Sequence, residues 1–349
     1  MAHQTVPAPA TRVPAGDISS RLRPPGFVSR RTYAALDLGT NNCRLLIARP
    51  STNGFVVIDA FSRIVRLGEG LAVTGRLSEA AMDRAVKALA ICADKLCRRR
   101  VSLVRSVATE ACRRAENGDA FVRRVHAETG IALDIISPEQ EARLAVMGCH
   151  VLLEPGDGVA LIFDIGGGST ELALIETGRP HPRVIDWFSI PLGVVSLTEI
   201  EPHDFASRDE RLAAYRRMRA HVAANFAGFA ASIAAHRTEP YRLLGASGTV
   251  TTLASVHLGL PSYDRRKIDG LVVPADAIRT ITGQISGMSV PERTEIPCIG
   301  QERADLVVAG CAILEEILTL WPAERLGIAD RGIREGILRL LMARELERL

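Results

Sequence analysis

The stretch DLGTNNCRL, residues 37–45, has a counterpart 127 residues later in DIGGGSTEL, residues 164–172. In both stretches an aspartate ends an apolar run, a glycine follows two residues later, small polar residues come next, and a second apolar run begins. This pattern predicts a β-hairpin with a glycine turn. Two unrelated hairpins could share it, but its recurrence at a domain-sized separation predicts two similarly built halves that face one another.

The sequence around the two hairpins is typical of an α/β protein, because short apolar runs alternate with longer helical patterns from residue 32 onward. The predicted strands span residues 33–37, 43–49, 55–61, 103–108, 133–136, 159–164, 170–176, 184–189, 242–245 and 325–328. The predicted helices span residues 78–98, 110–117, 138–148, 208–235, 249–258, 275–288, 301–320 and 332–348.

Length and charge narrow the class further. With 349 residues, the chain is long enough for about two domains of ~150 residues each. Residues 1–31 hold five prolines and five arginines against Asp17, without apolar periodicity, which predicts a disordered basic extension. The remainder carries 38 lysines and arginines against 39 acidic residues, so the net charge of +3 belongs to the extension. Overall basicity therefore gives no reason to expect nucleic-acid binding.

The cysteines and the apolar runs indicate the compartment. Seven cysteines form no CxxC pair and no cluster with histidine, which is typical of reduced thiols. No apolar run of the sequence approaches the ~20 residues of a membrane helix, and the N-terminal residues lack the apolar core of a secretory signal. We therefore expect a cytoplasmic protein without membrane association.

The glycine turns of the two hairpins predict phosphate binding. Glycine lets the backbone approach a ligand closely, and successive N–H groups in such a turn form a concave anion site. Two turns opposed across a cleft would hold a polyphosphate from both sides. The candidate phosphate-binding residues are Gly39, Thr40, Asn41 and Asn42 in the first turn and Gly166, Gly167, Gly168 and Ser169 in the second.

A third glycine turn, LLGASGT at residues 243–249, joins an apolar strand to a helix that begins near Thr249. Backbone amides at the N-terminus of a helix attract anions. Glycine turns between strands and helices are common, but this is the third turn in the chain that suits phosphate. Its candidate residues are Gly245, Ser247, Gly248 and Thr249.

Carboxylates at the hairpins predict a metal site. Asp37 and Asp164 end the strands that lead into the turns, where they could hold a divalent cation through water, as Mg²⁺ prefers. Such a cation would bridge to the phosphate. Glu171 lies seven residues after Asp164 on the outgoing strand and could reach the same metal; the alternative is a solvent-exposed strand carboxylate.

The segment SPEQEAR, residues 137–143, offers a group to activate water. Ser137 as N-cap and Gln140 three residues later form a capping box, which gives Gln140 a structural role. Glu139 and Glu141 point about 200° apart on a helix, so they cannot share one role. The helical pattern alone does not decide which of the two faces the cleft.

Arg113 follows the strand at residues 103–108 and lies on the next predicted helix. There its guanidinium fork could bind phosphate oxygens, whereas Arg114 points elsewhere. The alternative for each of them is a solvated helix arginine.

These motifs and their order resemble the Ppx/GppA phosphatase family, the exopolyphosphatases and guanosine pentaphosphate phosphohydrolases of the actin-like ATPase superfamily. The resemblance extends over nearly all of residues 32–349. It is carried most specifically by VATEACRRAENG at residues 107–118 and by LIFDIGGGSTELALIE at residues 161–176.

The resemblance implies two ribonuclease-H-like domains around a central cleft that holds the phosphate chain and a divalent metal, usually Mg²⁺. The expected domains are residues 32–140 and residues 141–331, with the last helix, about 332–349, packing back on the first domain. The related enzymes are often dimers, so a homodimer is one possible assembly.

The resemblance also implies roles for individual residues. The family's catalytic base directly precedes an Ala-Arg-Leu sequence, which makes it Glu141 here, and the family's arginine corresponds to Arg113. Asn42 stands where serine is more usual, and Gln140 where a second glutamate often lies. The family's metal-associated acids correspond to Asp164 and Glu171. Its first phosphate loop corresponds to Asp37, Gly39, Thr40 and Asn41.

The implied activity is release of terminal phosphate from inorganic polyphosphate or guanosine pentaphosphate, by in-line attack of a water that Glu141 deprotonates. One alternative is a small-molecule kinase of the same superfamily, which would need an acceptor pocket and an adenosine site. Another is a sensor that binds guanosine penta- or tetraphosphate without hydrolysing it. An intact set of Glu141, Asp164 and Glu171 favours catalysis.

Overall fold

The computed structural model describes residues 31–52, 54–178, 182–237 and 239–346. The predicted extension, residues 1–31, lies outside these residues except for its last position. Each half of the chain contributes one β-sheet. The first sheet contains β1 (Tyr33–Leu38), β2 (Asn42–Ser51), β3 (Gly54–Ile64), β4 (Leu103–Ala108) and β5 (Asp134–Ile135). The second contains β6 (Val159–Ile165), β7 (Thr170–Glu176), β8 (Arg183–Ile190), β9 (Arg242–Gly245), β10 (Val272–Pro274) and β11 (Arg325–Ile328).

The two sheets share one topology. The first has the order β3-β2-β1-β4-β5, in which β1 to β3 form an antiparallel meander and β4 and β5 are parallel to β1. The second has the order β10-β11-β9-β6-β7-β8, in which β6 to β8 form the meander and β9 and β11 are parallel to β6. Apart from the added edge strand β10, the orders correspond strand for strand, which confirms the predicted repeat.

Helices cover the faces of the sheets. In the first half they are α1 (Leu71–Thr74), α2 (Glu79–Arg98), α3 (Glu110–Arg114), α4 (Gly118–Thr129) and α5 (Pro138–Cys149). In the second half they are α6 (Val194–Ile200), α7 (Arg208–Ser232), α8 (Gly248–His257), α9 (Arg265–Ile268), α10 (Ala275–Gly287), α11 (Val290–Thr294), α12 (Val307–Leu320) and α13 (Ile333–Leu346). None of the described helices is long and apolar enough to cross a bilayer.

The predicted strands are all present, and most predicted helices begin within a residue or two of their predicted start. The largest error in a predicted boundary is in the helix expected from residue 301, which begins at Val307 after turns at residues 301–306. The helices expected to end at residues 117 and 235 end at Arg114 and Ser232. The elements that the sequence did not predict are α1, α4, α6, α9, α11 and β10.

Helices α5 and α13 lie between the two sheets. Leu144 of α5 belongs to the apolar cluster of the first sheet together with Ile337 of α13, whereas Cys149 belongs to a cluster of the second sheet. The two helices pack so closely that a Cβ atom at Gly336 would collide with the Leu144 carbonyl. We propose on these contacts that α13 completes the N-terminal domain, residues 32–140, beside a C-terminal domain of residues 141–331.

Candidate active site

The two hairpin turns have the same backbone hydrogen bonds. The amide of Gly39 donates to the Asn42 carbonyl at 2.9 Å, and the amide of Gly166 donates to the Ser169 carbonyl at 2.9 Å. In each half, the segment after the third strand also holds the turn in place. The amides of residues 65, 66 and 68 donate to carbonyls of the first turn, and those of residues 194–196 donate to carbonyls of the second. The fold therefore fixes both turns through the surrounding backbone.

The two turns contact each other across the cleft between the sheets. A Cβ atom at Gly168 would lie 2.5 Å from the Thr40 hydroxyl oxygen, and one at Gly167 would lie 3.0 Å from the Asn41 amide nitrogen. Glycine is thus required here for close approach of the two halves. The predicted phosphate-binding residues that line the cleft are Gly39, Thr40, Asn41, Asn42, Gly166, Gly167, Gly168, Ser169, Gly248 and Thr249.

The other two residues of the third turn lie elsewhere. Gly245 packs against the Phe163 ring, which a Cβ atom would approach to 2.5 Å. Ser247 caps α8, accepting a hydrogen bond from the Val250 amide at 3.1 Å, and lines a neighbouring cavity.

The three predicted metal acids and Glu141 all line the cleft. Burial raises the pKa of Asp37, which Arg44 opposes. Burial and the charge of Glu171 raise the pKa of Asp164 to about 8. Burial also raises the pKa of Glu171 to about 7, against the effect of hydrogen bonds from Ser169 and Ser189. Glu171 is 3% exposed and accepts from the Ser189 hydroxyl at 2.9 Å, so the alternative of an exposed strand carboxylate was wrong.

The N-terminus of α5 separates its two glutamates. Ser137 and Gln140 form the predicted capping box. The Ser137 hydroxyl accepts a hydrogen bond from the backbone amide of Gln140 at 3.2 Å, and Oε1 of Gln140 accepts one from the backbone amide of Ser137 at 3.1 Å. Glu139 lies at the surface, 2.8 Å from Arg143. Glu141 is 6% exposed and faces the cleft, where burial and then Glu171 raise its pKa well above the usual range.

Arg113 binds carboxylates rather than facing open space in the cleft. It donates to one oxygen of Glu110 at 2.6 and 3.1 Å, to one oxygen of Glu141 at 3.2 Å from each terminal nitrogen, and to the Ile136 carbonyl at 2.6 Å. Both contacts to Glu141 use its Oε2 atom. The guanidinium therefore fixes the orientation of the Glu141 carboxyl group, a role that the sequence did not predict.

Two arginines that the sequence did not predict also line the cleft. Arg44 follows the first turn on β2, and Arg303 lies in the turns before α12. A Cβ atom at Gly248 would lie 3.9 Å from a terminal nitrogen of Arg303 and 4.0 Å from one of Arg44. Two guanidinium groups thus meet at the N-terminus of α8, where an anion would be stabilised by both.

The acids fit a hydrated cation better than a cage of protein ligands. Among the described residues, no three histidine, cysteine or acidic side chains are placed to form a metal cage. However, Oδ1 of Asp37 is buried and has no hydrogen-bond partner in the described part of the chain. Mg²⁺ keeps several waters and is commonly held by one or two carboxylates together with substrate phosphates. The orphaned oxygen and the neighbouring Asp164 suit that mode of binding.

The two halves of the chain have the same sheet topology, and an acid-lined cleft lies between their glycine turns. This arrangement defines the two-domain actin-like α/β fold that the family resemblance implied. The model of the Ppx/GppA phosphatase family matches residues 46–345, and the chain belongs to this family.

Relatives support this placement. Exopolyphosphatase 2 of Mycobacterium tuberculosis is 32% identical over 316 residues, which cover 86% of this chain and 94% of that protein. The guanosine-5'-triphosphate,3'-diphosphate pyrophosphatase of Aeromonas salmonicida is 28% identical over 88% of this chain, but the match spans only 58% of its own length. The crystal structure of the Aquifex aeolicus member of the Ppx/GppA family superposes with a TM-score of 0.72 at 29% identity, covering 90% of this chain and 98% of that one.

Proposed function

We propose that this protein is a metal-dependent phosphoanhydride hydrolase that releases the terminal phosphate of inorganic polyphosphate or of guanosine pentaphosphate. Family membership and the names of the relatives support this class of reaction. The observation that carries the proposal is the position of Glu141. Its buried carboxyl group is held through one oxygen by Arg113 and lines the cleft between the two glycine turns.

Glu141 orients and deprotonates the attacking water in this proposal. Arg113 holds Oε2, which leaves Oε1 for the water. The raised pKa of Glu141, caused by burial and by Glu171, makes its ionised form a stronger proton acceptor than an ordinary carboxylate. The fixed orientation of the carboxyl group reduces the entropy lost when the water is positioned.

The phosphate chain is bound by the turn amides and by arginines. Amides of the two turns would donate to phosphate oxygens, and Arg44 and Arg303, which line the same cleft, would stabilise the negative charge. Four acids in one cleft would repel a phosphate chain, so a divalent cation held by Asp37, Asp164 and Glu171 is part of the proposal. When bound, it would neutralise phosphate charge and polarise the phosphoryl group.

The test is phosphate release by Glu141→Gln, which keeps the size of the side chain. We expect turnover to fall by about 100-fold or more, because the water loses its proton acceptor. Substrate binding in the presence of Mg²⁺ should be retained. Glu139→Gln, two residues away at the surface, is the matched control and should keep full turnover. Near-normal turnover by Glu141→Gln would contradict the assignment.

A further inference from the structure

Every N–H donor of Arg113 is used by a protein group. A guanidinium group has five such donors, one on Nε and two on each terminal nitrogen. Nε and Nη2 each donate to Oε2 of Glu110, at 3.1 and 2.6 Å. Nη1 and Nη2 each donate to Oε2 of Glu141 at 3.2 Å, and Nη1 also donates to the Ile136 carbonyl at 2.6 Å. These five bonds use all five donors, so Arg113 in this structure acts on protein groups rather than on a phosphate.

Charge balance does not explain the presence of Glu110. Glu141 alone would neutralise Arg113, and a second carboxylate makes the group of three side chains negative. The side chains of Glu110 and Arg113 are only 12% and 19% exposed, so this extra charge is partly removed from water, at a cost in free energy. Burial lowers the pKa of Arg113, but the charges of Glu141 and Glu110 outweigh burial and raise it. Glu110 is therefore held close to Arg113 for a reason other than neutralisation.

Glu110 is fixed from both halves of the molecule. It is the first residue of α3 in the first half, three residues before Arg113. Its side chain also packs against the second glycine turn, because a Cβ atom at Gly168 would lie 3.0 Å from Cγ of Glu110. The carboxyl group so placed binds the edge of the guanidinium formed by Nε and Nη2. The end formed by Nη1 and Nη2 is then the one that meets Glu141.

Arginine and a carboxylate frequently pair through two parallel hydrogen bonds that use both carboxylate oxygens. Arg113 and Glu141 do not, since both bonds end on Oε2. We propose that Glu110 is a positioning residue for the reaction, which holds Arg113 on Oε2 of Glu141 and so leaves Oε1 for the attacking water. Without Glu110, the guanidinium would be free to turn, bind both oxygens of Glu141 and take the place of the water. This role rests on the proposed function and adds to it a residue that the family resemblance did not single out.

Two other roles for Glu110 predict different kinetics. A glutamate in the first turn of a helix stabilises that helix, and this role alone would lower stability and leave kcat and KM unchanged. A glutamate that merely occupies Arg113 would release it for phosphate when removed, and the KM would then fall. A positioning role instead predicts a lower kcat with little change in KM, because substrate binding does not depend on the orientation of Glu141.

The first test is Glu110→Gln, which keeps the size of the side chain and removes its charge. For phosphate release from inorganic polyphosphate with Mg²⁺, we expect kcat to fall about tenfold and KM to change by less than about threefold. Glu110→Asp keeps the charge, should retain more of the kcat, and serves if Glu110→Gln folds poorly. The matched control is Glu116→Gln, an exposed glutamate after the same helix that pairs with Arg76 at 2.9 Å, and its kcat should stay at the wild-type value. An unchanged kcat in Glu110→Gln, or a fall in its KM of tenfold, would overturn the proposal.

A double-mutant cycle tests whether Glu110 acts through Arg113. Once Arg113→Gln is present, adding Glu110→Gln should lower kcat by no more than about twofold, whereas a further tenfold loss would mean that the two residues act independently. Crystal structures of the wild type and Glu110→Gln test the geometry without reference to hydrolysis. We expect the guanidinium of Arg113 to contact both oxygens of Glu141 in the variant, and a guanidinium that stays on Oε2 alone would overturn the proposal. Absence of phosphate release by the wild type would instead count against the proposed function.

Discussion

The two glycine-turn hairpins, residues 37–45 and 164–172, have the same backbone hydrogen bond in the turn but carry different charged side chains. Each has a glycine amide bonded at 2.9 Å to the carbonyl three residues on. Across the strands, however, Asp37 is paired in register with Arg44, whereas Asp164 is paired with Glu171. Arg44 opposes the rise in the pKa of Asp37 that burial causes, while Glu171 adds to the rise in the pKa of Asp164.

The difference teaches how a repeated scaffold becomes an asymmetric site. The repeat supplies two equivalent sets of amides, which can hold phosphate from both sides of the cleft. The residue opposite the aspartate in each hairpin then decides what that hairpin adds to the site. It is the positively charged Arg44 in the first hairpin and a second carboxylate, Glu171, in the second. In our proposal, the first hairpin binds phosphate through Arg44 and the second holds the metal through Glu171.

The largest effect within this comparison is expected for Glu171→Gln, which removes one of the two paired carboxylates of the second hairpin at constant size. We expect turnover to fall by about 10- to 100-fold, and the Mg²⁺ concentration for half-maximal activity to rise, because metal binding loses one carboxylate. The measurement is phosphate release over a Mg²⁺ titration. Glu176→Gln at the end of the same strand, where Glu176 pairs with Arg183 at the surface, is the control. An unchanged Mg²⁺ requirement would remove Glu171 from the metal site.

Next in size is Arg44→Gln, which removes the positive charge opposite Asp37 in the first hairpin. Because Arg44 has no ion-pair partner in the described residues, we expect little loss of folding stability. The KM should rise about tenfold, as when a charge-assisted contact to an anion is lost. A fall in kcat with unchanged KM would instead assign Arg44 to the chemical step. Steady-state kinetics of Arg44→Gln and Arg44→Lys, beside the surface variant Arg63→Gln, separate the two outcomes.

The asymmetry explains which parts of the site could be predicted from sequence. The hairpins and their acids repeat with an offset of 127 residues, and the same offset relates Arg44 to Glu171, so Arg44 was open to prediction. Arg303 had no comparable signal, because it lies in turns and is oriented by the distant Thr252 hydroxyl. The helical period alone did not choose between Glu139 and Glu141. The family resemblance implied Glu141, and the packing of α5 buries that side chain in the cleft.

The fold shows the same division between local and tertiary causes. Helix α4 was not predicted, because it begins at Gly118 directly after Asn117, a pair typical of a turn. The Asn117 side chain does not cap that helix, and instead accepts from the Leu77 amide at 2.9 Å. Strand β10 has three residues and ends at Pro274, so its place at the edge of the sheet depends on pairing with β11.

A third prediction compares the free energy of unfolding of alanine variants at one glycine in each hairpin. A Cβ atom at Gly168 would lie 2.5 Å from the Thr40 hydroxyl, but one at Gly39 would only reach ordinary contact, 3.5 Å from the Asn42 carbonyl. Gly168→Ala should therefore lower the free energy of unfolding by about 1–3 kcal/mol, as overpacking does. Gly39→Ala should change it by less than about 1 kcal/mol in either direction. Denaturant unfolding of the two variants is the measurement, and equal losses would show that contact between the turns is not the cause.

The smallest effect is expected for Asn42→Ser, which makes the first turn more like the second, where Ser169 holds the equivalent place. The bond that shapes the turn uses the carbonyl of residue 42, which any side chain leaves in place. Ser169 has a further role that its counterpart lacks, because it donates a hydrogen bond to Glu171. Two residues after position 42 lies Arg44, whereas two residues after Ser169 lies the carboxylate Glu171, so a serine at position 42 gains no equivalent acceptor. We expect the KM to change by less than about threefold, as for a solvent-accessible neutral contact. A change of tenfold or more would mean that the side chain at this position reads the phosphate directly, and that the two turns differ in more than the charge of their register partners.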